Sequence, residues 1–437
     1  MVITRGSRAS KTPSFAYPRI FAALDGDAAQ GAPVTDLISG TPHEPPPSGF
    51  LEAIERWTRP RSPDWFGYVQ NHRAALEAVA AVLRRRRGLP FEAKDVVMTN
   101  GAFGGLALAL ATVVDPEDEV VLFQPAWHFY DLLVRTAGAI PLHVPLRQPG
   151  FGLDLASLRK VLSARTRAVT VNSPHNPTGR IYGEEELRAL ARLLEETTTR
   201  HGRAVYLRSD EAFSRIVFDG RRFVSPARFY ARSFMIYSFG KTLLTPGARL
   251  GYAALHPEMP DRDVVRVAME IAQTGLGYAY PDAVLQYAAA DLEALCIDVE
   301  ALQARRDRTV EALRAQGFDR GAARGHVLAD RRAAGGRRRG LRRAGRCPRR
   351  ARDAGKPDRT ARHRAALAHG DGRHAGARNR GARGGAPRGP GRAPGGGLRR
   401  LTTPRRSSGP ARAWDTGPSS PARRSRGGCP RGGSSPA

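Results

Sequence analysis

Between residues 95 and 255, short apolar runs alternate with segments whose leucines recur at helical spacing. The runs Asp95–Met98, Glu119–Phe123, Ala168–Asn172, Ala204–Leu207 and Phe234–Ser238 read as strands. Between them, Leu155, Leu158, Val161 and Leu162 mark one amphipathic helix face, and Leu187, Leu190, Leu193 and Leu194 mark another. This alternation predicts an α/β fold, with a mostly parallel, doubly wound sheet and helices on both of its faces. Ligands of such sheets sit at the carboxyl ends of the strands. Asn100–Gly101, Asn172–Asn176, Asp210 and Lys241 each follow a predicted strand and so fall at that edge.

Residues 281–316 read as helix, with Leu292, Leu295, Val299 and Leu302 at alternating spacings of three and four, and Val310 and Leu313 further on. The expected organisation is an N-terminal arm and lead-in over 1–45 and a large domain over 46–285. A helix over 286–320 would then enter a smaller, incomplete α+β domain, and a separate tail would cover 321–437.

Charge sets the tail apart. The chain has 437 residues, long enough for roughly two to three domains, and a formal net charge of +29. Residues 321–437 hold 31 Lys+Arg against 5 Asp+Glu and contain no Phe, Tyr, Ile, Met or Glu, whereas residues 1–320 hold 39 against 36. A stretch so poor in apolar side chains cannot offset its chain entropy, and disorder is expected there. It lacks the interleaved aromatics of a nucleic-acid reader, leaving at most non-specific binding to nucleic acid. A third reading is that this stretch is not the proper C-terminus. Cys296, Cys347 and Cys429 have no metal-ligand spacing, and their odd number argues against a disulfide framework. No metal is expected. Without a secretory apolar core or an apolar run of membrane-spanning length, the expectation is a cytoplasmic protein with no membrane partner.

The chemistry centres on Ser238-Phe239-Gly240-Lys241 and Arg249. A lysine amine can form a Schiff base with an aldehyde, while a nearby hydroxyl and guanidinium hold that aldehyde's phosphate. Pyridoxal phosphate needs both. Upstream, Thr99-Asn100-Gly101-Ala102-Phe103-Gly104-Gly105 lies between a strand and a helix start, where free N–H groups favour a phosphate. Trp127, in Gln124-Pro125-Ala126-Trp127, can stack on an aromatic ring. In Asn172-Ser173-Pro174-His175-Asn176-Pro177-Thr178-Gly179, Asn176 can hydrogen-bond a ring hydroxyl oxygen and His175 is incidental. In Ser209-Asp210-Glu211-Ala212-Phe213, a buried Asp210 can face a pyridine nitrogen and keep it protonated.

These motifs occur in order, and residues 34–316 resemble a class I/II aminotransferase of pyridoxal-phosphate fold type I. The resemblance implies pyridoxal 5'-phosphate as cofactor, with Lys241 and Asp210 catalytic. Gly101, Ala102, Phe103, Trp127, Asn176, Asp210, Ser238, Lys241 and Arg249 would bind the cofactor. Tyr68 would reach across a homodimer interface to the partner's phosphate. Gly40, in Ser39-Gly40-Thr41-Pro42, and Asn176 would touch substrate. The implied activity is ping-pong transfer of an amino group from an L-amino acid to a 2-oxo acid. Other fold type I activities (C–S lyase, decarboxylase, synthase) and an inactive product remain alternatives.

Two departures stand out. Phe213 occupies the place of the family's tyrosine. The lost hydroxyl predicts a raised Schiff-base pKa and slower catalysis. The family's C-terminal arginine, which grips the substrate α-carboxylate, has no match in residues 321–437. The codons of Arg324 to Leu328 and Ala366 to Ala375, read one base later, are compatible with a Gly-Thr-Phe/Tyr stretch and with that arginine strand. This points to a frameshift near residues 317–322, which the nucleotide sequence of the gene decides.

Overall fold

The computed structural model describes residues 44–277 and 280–319, together with the two-residue strand Arg332–Ala333. Gly40, most of the N-terminal arm and, apart from that strand, the tail lie outside the described residues.

Two helices, α1 (Ser48–Thr58) and α2 (Arg73–Arg87), lead into an alternating series. It runs β1 (Val96–Thr99), α3 (Gly101–Val113), β2 (Glu119–Gln124), α4 (Phe129–Thr136), β3 (Ile140–Pro145) and α5 (Leu155–Val161). There follow β4 (Thr166–Asn172), α6 (Glu184–His201), β5 (Tyr206–Asp210), β6 (Ser233–Ser238), the one-turn α7 (Phe239–Thr242) and β7 (Gly251–Leu255). Four helices come next: α8 (Arg262–Gly275), α9 (Ala283–Tyr287), α10 (Ala289–Ala294) and α11 (Val299–Ala315). Finally β8 (Phe318–Asp319) pairs antiparallel with β9 (Arg332–Ala333).

Seven strands form one sheet in the order β1-β7-β6-β5-β4-β2-β3. Only β7 runs against its neighbours β1 and β6; the other pairings are parallel. The strand period of two sends alternate side chains to opposite faces. Val120, Leu122, Phe234 and Ile236 join a core with Leu106 and Leu110 of α3, Val134 of α4 and Met269 of α8. On the other face, Val169, Val171 and Leu207 pack with Leu187, Leu190 and Leu194 of α6. Met98, Tyr237 and Ala254 pack there with Val79 and Leu83 of α2 and Leu285 and Leu292 of α9 and α10.

Local sequence explains where the helices start and stop. Helix α6 opens on Glu184, Glu185 and Glu186, ends on Arg200 and His201, and is closed by Gly202 at φ 61°. Its charges oppose the helix dipole and its glycine takes the left-handed cap. Asp154 accepts the Ser157 N–H and starts α5. Two strands were not foreseen. Strand β3 is an edge strand with proline at Pro141 and Pro145, and β7 is the short Gly251-Tyr252-Ala253-Ala254-Leu255, poor in β-branched residues.

The expected single helix over 281–316 is corrected: it is three helices, with a break at Leu295–Asp298. Leu295 is extended at ψ 150°, the Ile297 N–H reaches across to the Thr242 carbonyl at 2.9 Å, and Asp298 caps a new helix through the Ala301 N–H at 2.9 Å. A tertiary hydrogen bond to the segment carrying Lys241 thus overrides an unbroken apolar period. No described helix is long and apolar enough to cross a membrane.

Gly251 opens β7 between Thr99 of β1 and Ser238 of β6. A Cβ there would lie 2.9 Å from Gly101 Cα and even closer to the Tyr237 carbonyl. Both obstacles are backbone and cannot rotate away. Gly251→Ala should therefore cost about 2–3 kcal/mol in urea unfolding. Gly247→Ala, which meets nothing within 4 Å, should stay within about 0.5 kcal/mol. Equal effects of the two substitutions would contradict this packing.

Candidate functional site

Strands β4, β5 and β6 end at the same edge of the sheet and deliver Asn172, Asp210 and Ser238 to a cavity of about 170 Å³ that is open to solvent. Ala102, Phe103, Trp127, Asn176, Asp210, Ser238, Lys241 and Arg249 all line it. So do Leu106, Tyr130, Ala212, Phe213 and Pro246.

Asp210 is only 5 % exposed. One carboxylate oxygen accepts the Ala212 N–H at 3.1 Å, and the other accepts a short hydrogen bond from the Tyr130 hydroxyl. Burial pushes this carboxyl above its ordinary range, while the Tyr130 hydrogen bond, the Ala212 N–H and Arg208 pull the other way. Burial, and then the neighbouring Asp210 charge, drive the Tyr130 phenol well above its usual value, so the proton stays on Tyr130.

The Asn172–Asn176 loop is tied to the end of β5. Asn172 Nδ2 donates to the Asp210 carbonyl at 3.0 Å, and Asn172 Oδ1 accepts the Asn176 N–H at 2.6 Å. Asn172 therefore sets both its neighbours.

Lys241 sits on the one-turn helix directly after β6. Ser238 caps that turn, its hydroxyl accepting the Gly240 N–H at 3.3 Å. Thr242 is held below by the Tyr237 hydroxyl at 2.7 Å. Lys241 Nζ lies 5.7 Å from the centre of the Phe213 ring. Burial lowers the amine's pKa, Arg249 lowers it further and Asp210 opposes them.

Arg249 is a non-glycine residue at φ 56°, a backbone choice costing about 1 kcal/mol or more. Its guanidinium donates to the Pro246 carbonyl at 2.7 Å and the Asn100 carbonyl at 3.0 Å. Gly101 stands at φ 72°, and a Cβ on it would meet Arg249 Nη2 at 2.7 Å. Only glycine lets the guanidinium reach the N-terminus of α3. Trp127 stands edge-on to Phe103 at 5.2 Å and to Tyr130 at 5.3 Å between ring centres, in a fixed aromatic wall.

Tyr68 is not brought to this cavity within the chain. It is 91 % exposed and packs on Tyr280 at 5.2 Å, so it is no core aromatic. Gly40 lies outside the described residues. His175 is buried beside Thr178 (Nδ1 to Oγ1 2.9 Å), and burial lowers its pKa to about 3, which leaves it neutral. Tyr130 went unnoticed in the sequence. The available signal was its position three residues after Trp127, at the opening of a helix.

The lowered Lys241 pKa has a consequence for stability. The charged amine is penalised in the folded chain, and fully so below its folded pKa. That penalty disappears as pH rises through the lowered value toward 10.5, because the unfolded chain holds the proton longer. Lys241→Met in the cofactor-free protein should therefore melt above the parent at neutral pH, by an amount that shrinks as pH rises. A pH-independent difference in thermal unfolding would contradict the assignment.

Comparison with known proteins follows the same pattern. The profile of aminotransferase class I and II matches residues 32–330. A probable aspartate/prephenate aminotransferase of Thermus aquaticus is 31 % identical over 252 residues, 56 % of this chain and 62 % of the relative. A probable aspartate/prephenate aminotransferase of Aquifex aeolicus is 34 % identical over 187 residues, 42 % of this chain and 46 % of its own length. The chain thus spans less than two thirds of these two curated relatives. The aspartate/prephenate aminotransferase of Thermus thermophilus is 30 % identical over 66 % of this chain and 74 % of its own. Among solved structures, an aminotransferase of Eubacterium rectale superposes with a TM-score of 0.70 at 28 % identity, covering 75 % of this chain and 83 % of its own. With the profile covering well over half its length, the chain belongs to the class I and II aminotransferases.

Proposed function

We propose that this chain is a pyridoxal-phosphate-dependent aminotransferase acting between an L-amino acid and a 2-oxo acid. The observation that carries this reading is the convergence of Lys241, Asp210, Asn176, Trp127 and Arg249 on one cavity in a chain of this family. Class I and II aminotransferases use pyridoxal phosphate. The residues present fit that group: a left-handed glycine admits a guanidinium to the N-terminus of α3, beside Ser238 and facing a lysine and a buried carboxylate. When bound, pyridoxal phosphate supplies an aldehyde for amine exchange and an electron-withdrawing pyridine ring.

The chain's own residues then divide the work. Arg249, Ser238 and the first N–H groups of α3, at Gly101, Ala102 and Phe103, bind phosphate. Trp127, on the cavity wall, would cover a face of the ring. Asn176 donates to the ring hydroxyl oxygen, and Phe213 offers no second hydroxyl there. Asp210 holds the proton at the ring nitrogen. Lys241 Nζ, with its lowered pKa, would take a proton from the substrate α-carbon and deliver it to the carbon that carried the cofactor's aldehyde.

The relatives carry aspartate/prephenate, aspartate, kynurenine–oxoglutarate and N-succinyldiaminopimelate names at similar identity. The substrate is therefore proposed only at the level of amino acid and 2-oxo acid. The family match ends at residue 330, and among the described residues Arg249 is the only arginine lining the cavity. The strand expected to carry the carboxylate-gripping arginine falls at 321–437, outside the described residues. We therefore propose intact cofactor binding with weakened substrate capture.

The second subunit is part of the proposal. Val264, Val267 and Ile271 form an exposed apolar stripe on α8, and Gln70 ties the Tyr68 loop to that helix through the Glu270 carbonyl at 3.2 Å. An apolar face of this kind, with Tyr68 and Tyr280 beside it, suits a second copy of the chain.

Loaded protein mixed with single L-amino acids should yield pyridoxamine phosphate and the matching 2-oxo acid, slowly. Lys241→Ala should lower that rate by about 10²–10⁴-fold. Products that leave pyridoxal phosphate unchanged would instead favour a lyase or decarboxylase. In sedimentation velocity the parent should run as a dimer and Val264→Asp/Ile271→Asp as a monomer. A parent that stays monomeric at all concentrations would overturn the dimer.

A further inference from the structure

Arg208 lies in the middle of β5 with 0 % exposure. Its Nη1 donates to Thr170 Oγ1 at 3.0 Å on β4, and its Nη2 to the Leu106 carbonyl at 3.2 Å on α3. Its Nε is buried without a partner. Two neutral acceptors for five donors are a poor exchange for hydration, and an isolated buried cation is costly. Among the described residues, no carboxylate makes a direct ion pair with it.

The charge must be balanced from nearby, and the strand geometry indicates by what. Arg208 and Asp210 are two residues apart on one strand, so their side chains leave the same face of the sheet about 7 Å apart along it. Ser209, between them, points to the other face, where its hydroxyl bonds Glu211 at 3.0 Å. Glu211 is already matched by Arg87 at 2.7 Å. Tyr130, from α4, is a neutral donor to Asp210. Lys241, from α7, faces Asp210 but shares the open cavity with Arg249. Neighbouring β4 and α3 present only Thr170, Asn172 and a carbonyl. In the dry core, Asp210 is the anion left for Arg208, and its charge favours the protonated guanidinium.

We propose that Arg208 is the buried counter-charge of Asp210, a positioning residue that keeps this carboxylate ionised toward the cavity. The site would then carry its own permanent cation beneath the carboxylate, with no need for a bound ligand to hold the charge. The proposal rests on the reading of Asp210 as the partner of the cofactor's ring nitrogen, but the pairing itself is a property of the cofactor-free chain and can be tested there.

The test is a thermal-unfolding cycle on the cofactor-free full chain with Arg208→Met, Asp210→Asn and the double variant. If the two charges balance each other, removing either leaves the other bare. The double variant should then melt above both single variants. Additive losses, or a double variant that fails to fold where Asp210→Asn folds, would overturn the proposal. Should Arg208→Met alone fail to fold, a folded double variant would still support it.

A second readout uses pyridoxal phosphate labelled with ¹⁵N in the ring. The parent and Arg208→Lys should give the shift of a protonated nitrogen at neutral pH. Arg208→Met should move toward the unprotonated shift and bind the cofactor about tenfold more weakly. An unchanged shift in Arg208→Met would overturn the proposal. An unprotonated nitrogen in the parent would instead sink the role given to Asp210, while the unfolding cycle still decides the pairing.

Discussion

A buried carboxylate is the constraint on which the site depends. Asp210 ends β5 almost out of contact with water, and a bare charge in that position would cost several kcal/mol. Each neighbouring element contributes to its stability. Helix α4 supplies the Tyr130 hydroxyl, the turn after β5 supplies the Ala212 N–H, and α7 brings Lys241 across the cavity. The Asp210 carbonyl is used as well, by Asn172, which in turn fixes the Asn176 loop. The position of the cavity walls therefore follows from satisfying one residue. Burial and Arg249, opposed by Asp210, make the Lys241 amine easier to deprotonate than a surface lysine.

The second constraint is close backbone approach. Gly251 lets β7 lie against Gly101, and Gly101 lets the Arg249 guanidinium lie against the start of α3. Arg249 adopts a left-handed backbone and satisfies two loop carbonyls, Pro246 and Asn100. Side-chain packing alone would not bring a guanidinium so near a helix N-terminus. That proximity sets a guanidinium beside the free N–H groups that open an otherwise apolar, alanine- and leucine-rich helix.

Much of this was legible in the sequence, because the strands that place the site are continuous apolar runs and its motifs sit at their ends. Lys241, Asp210, Asn176, Trp127, Ser238 and Arg249 were read from local motifs and do share one cavity. What was hidden depended on tertiary contact. Strand β3 carries two prolines at a sheet edge and β7 has no β-branched residue, so propensity did not reveal them. The break at Leu295–Asp298 is set by a hydrogen bond to Thr242, which no apolar period records. Tyr130 looked like one more aromatic in a run of them. Arg208 follows the apolar run Ala204–Leu207, and its burial and its face are tertiary properties that no local pattern records. Tyr68, read as a residue that reaches a partner, lies exposed outside its own chain's cavity.

The central claim is that Lys241 is the residue to which the cofactor becomes attached. Incubating the full chain with pyridoxal phosphate, reducing it with borohydride and mapping the peptides by mass spectrometry tests this directly. The account predicts a single pyridoxyl adduct on Lys241, absent from Lys241→Ala. Adducts spread over other lysines, or none on Lys241, would contradict it.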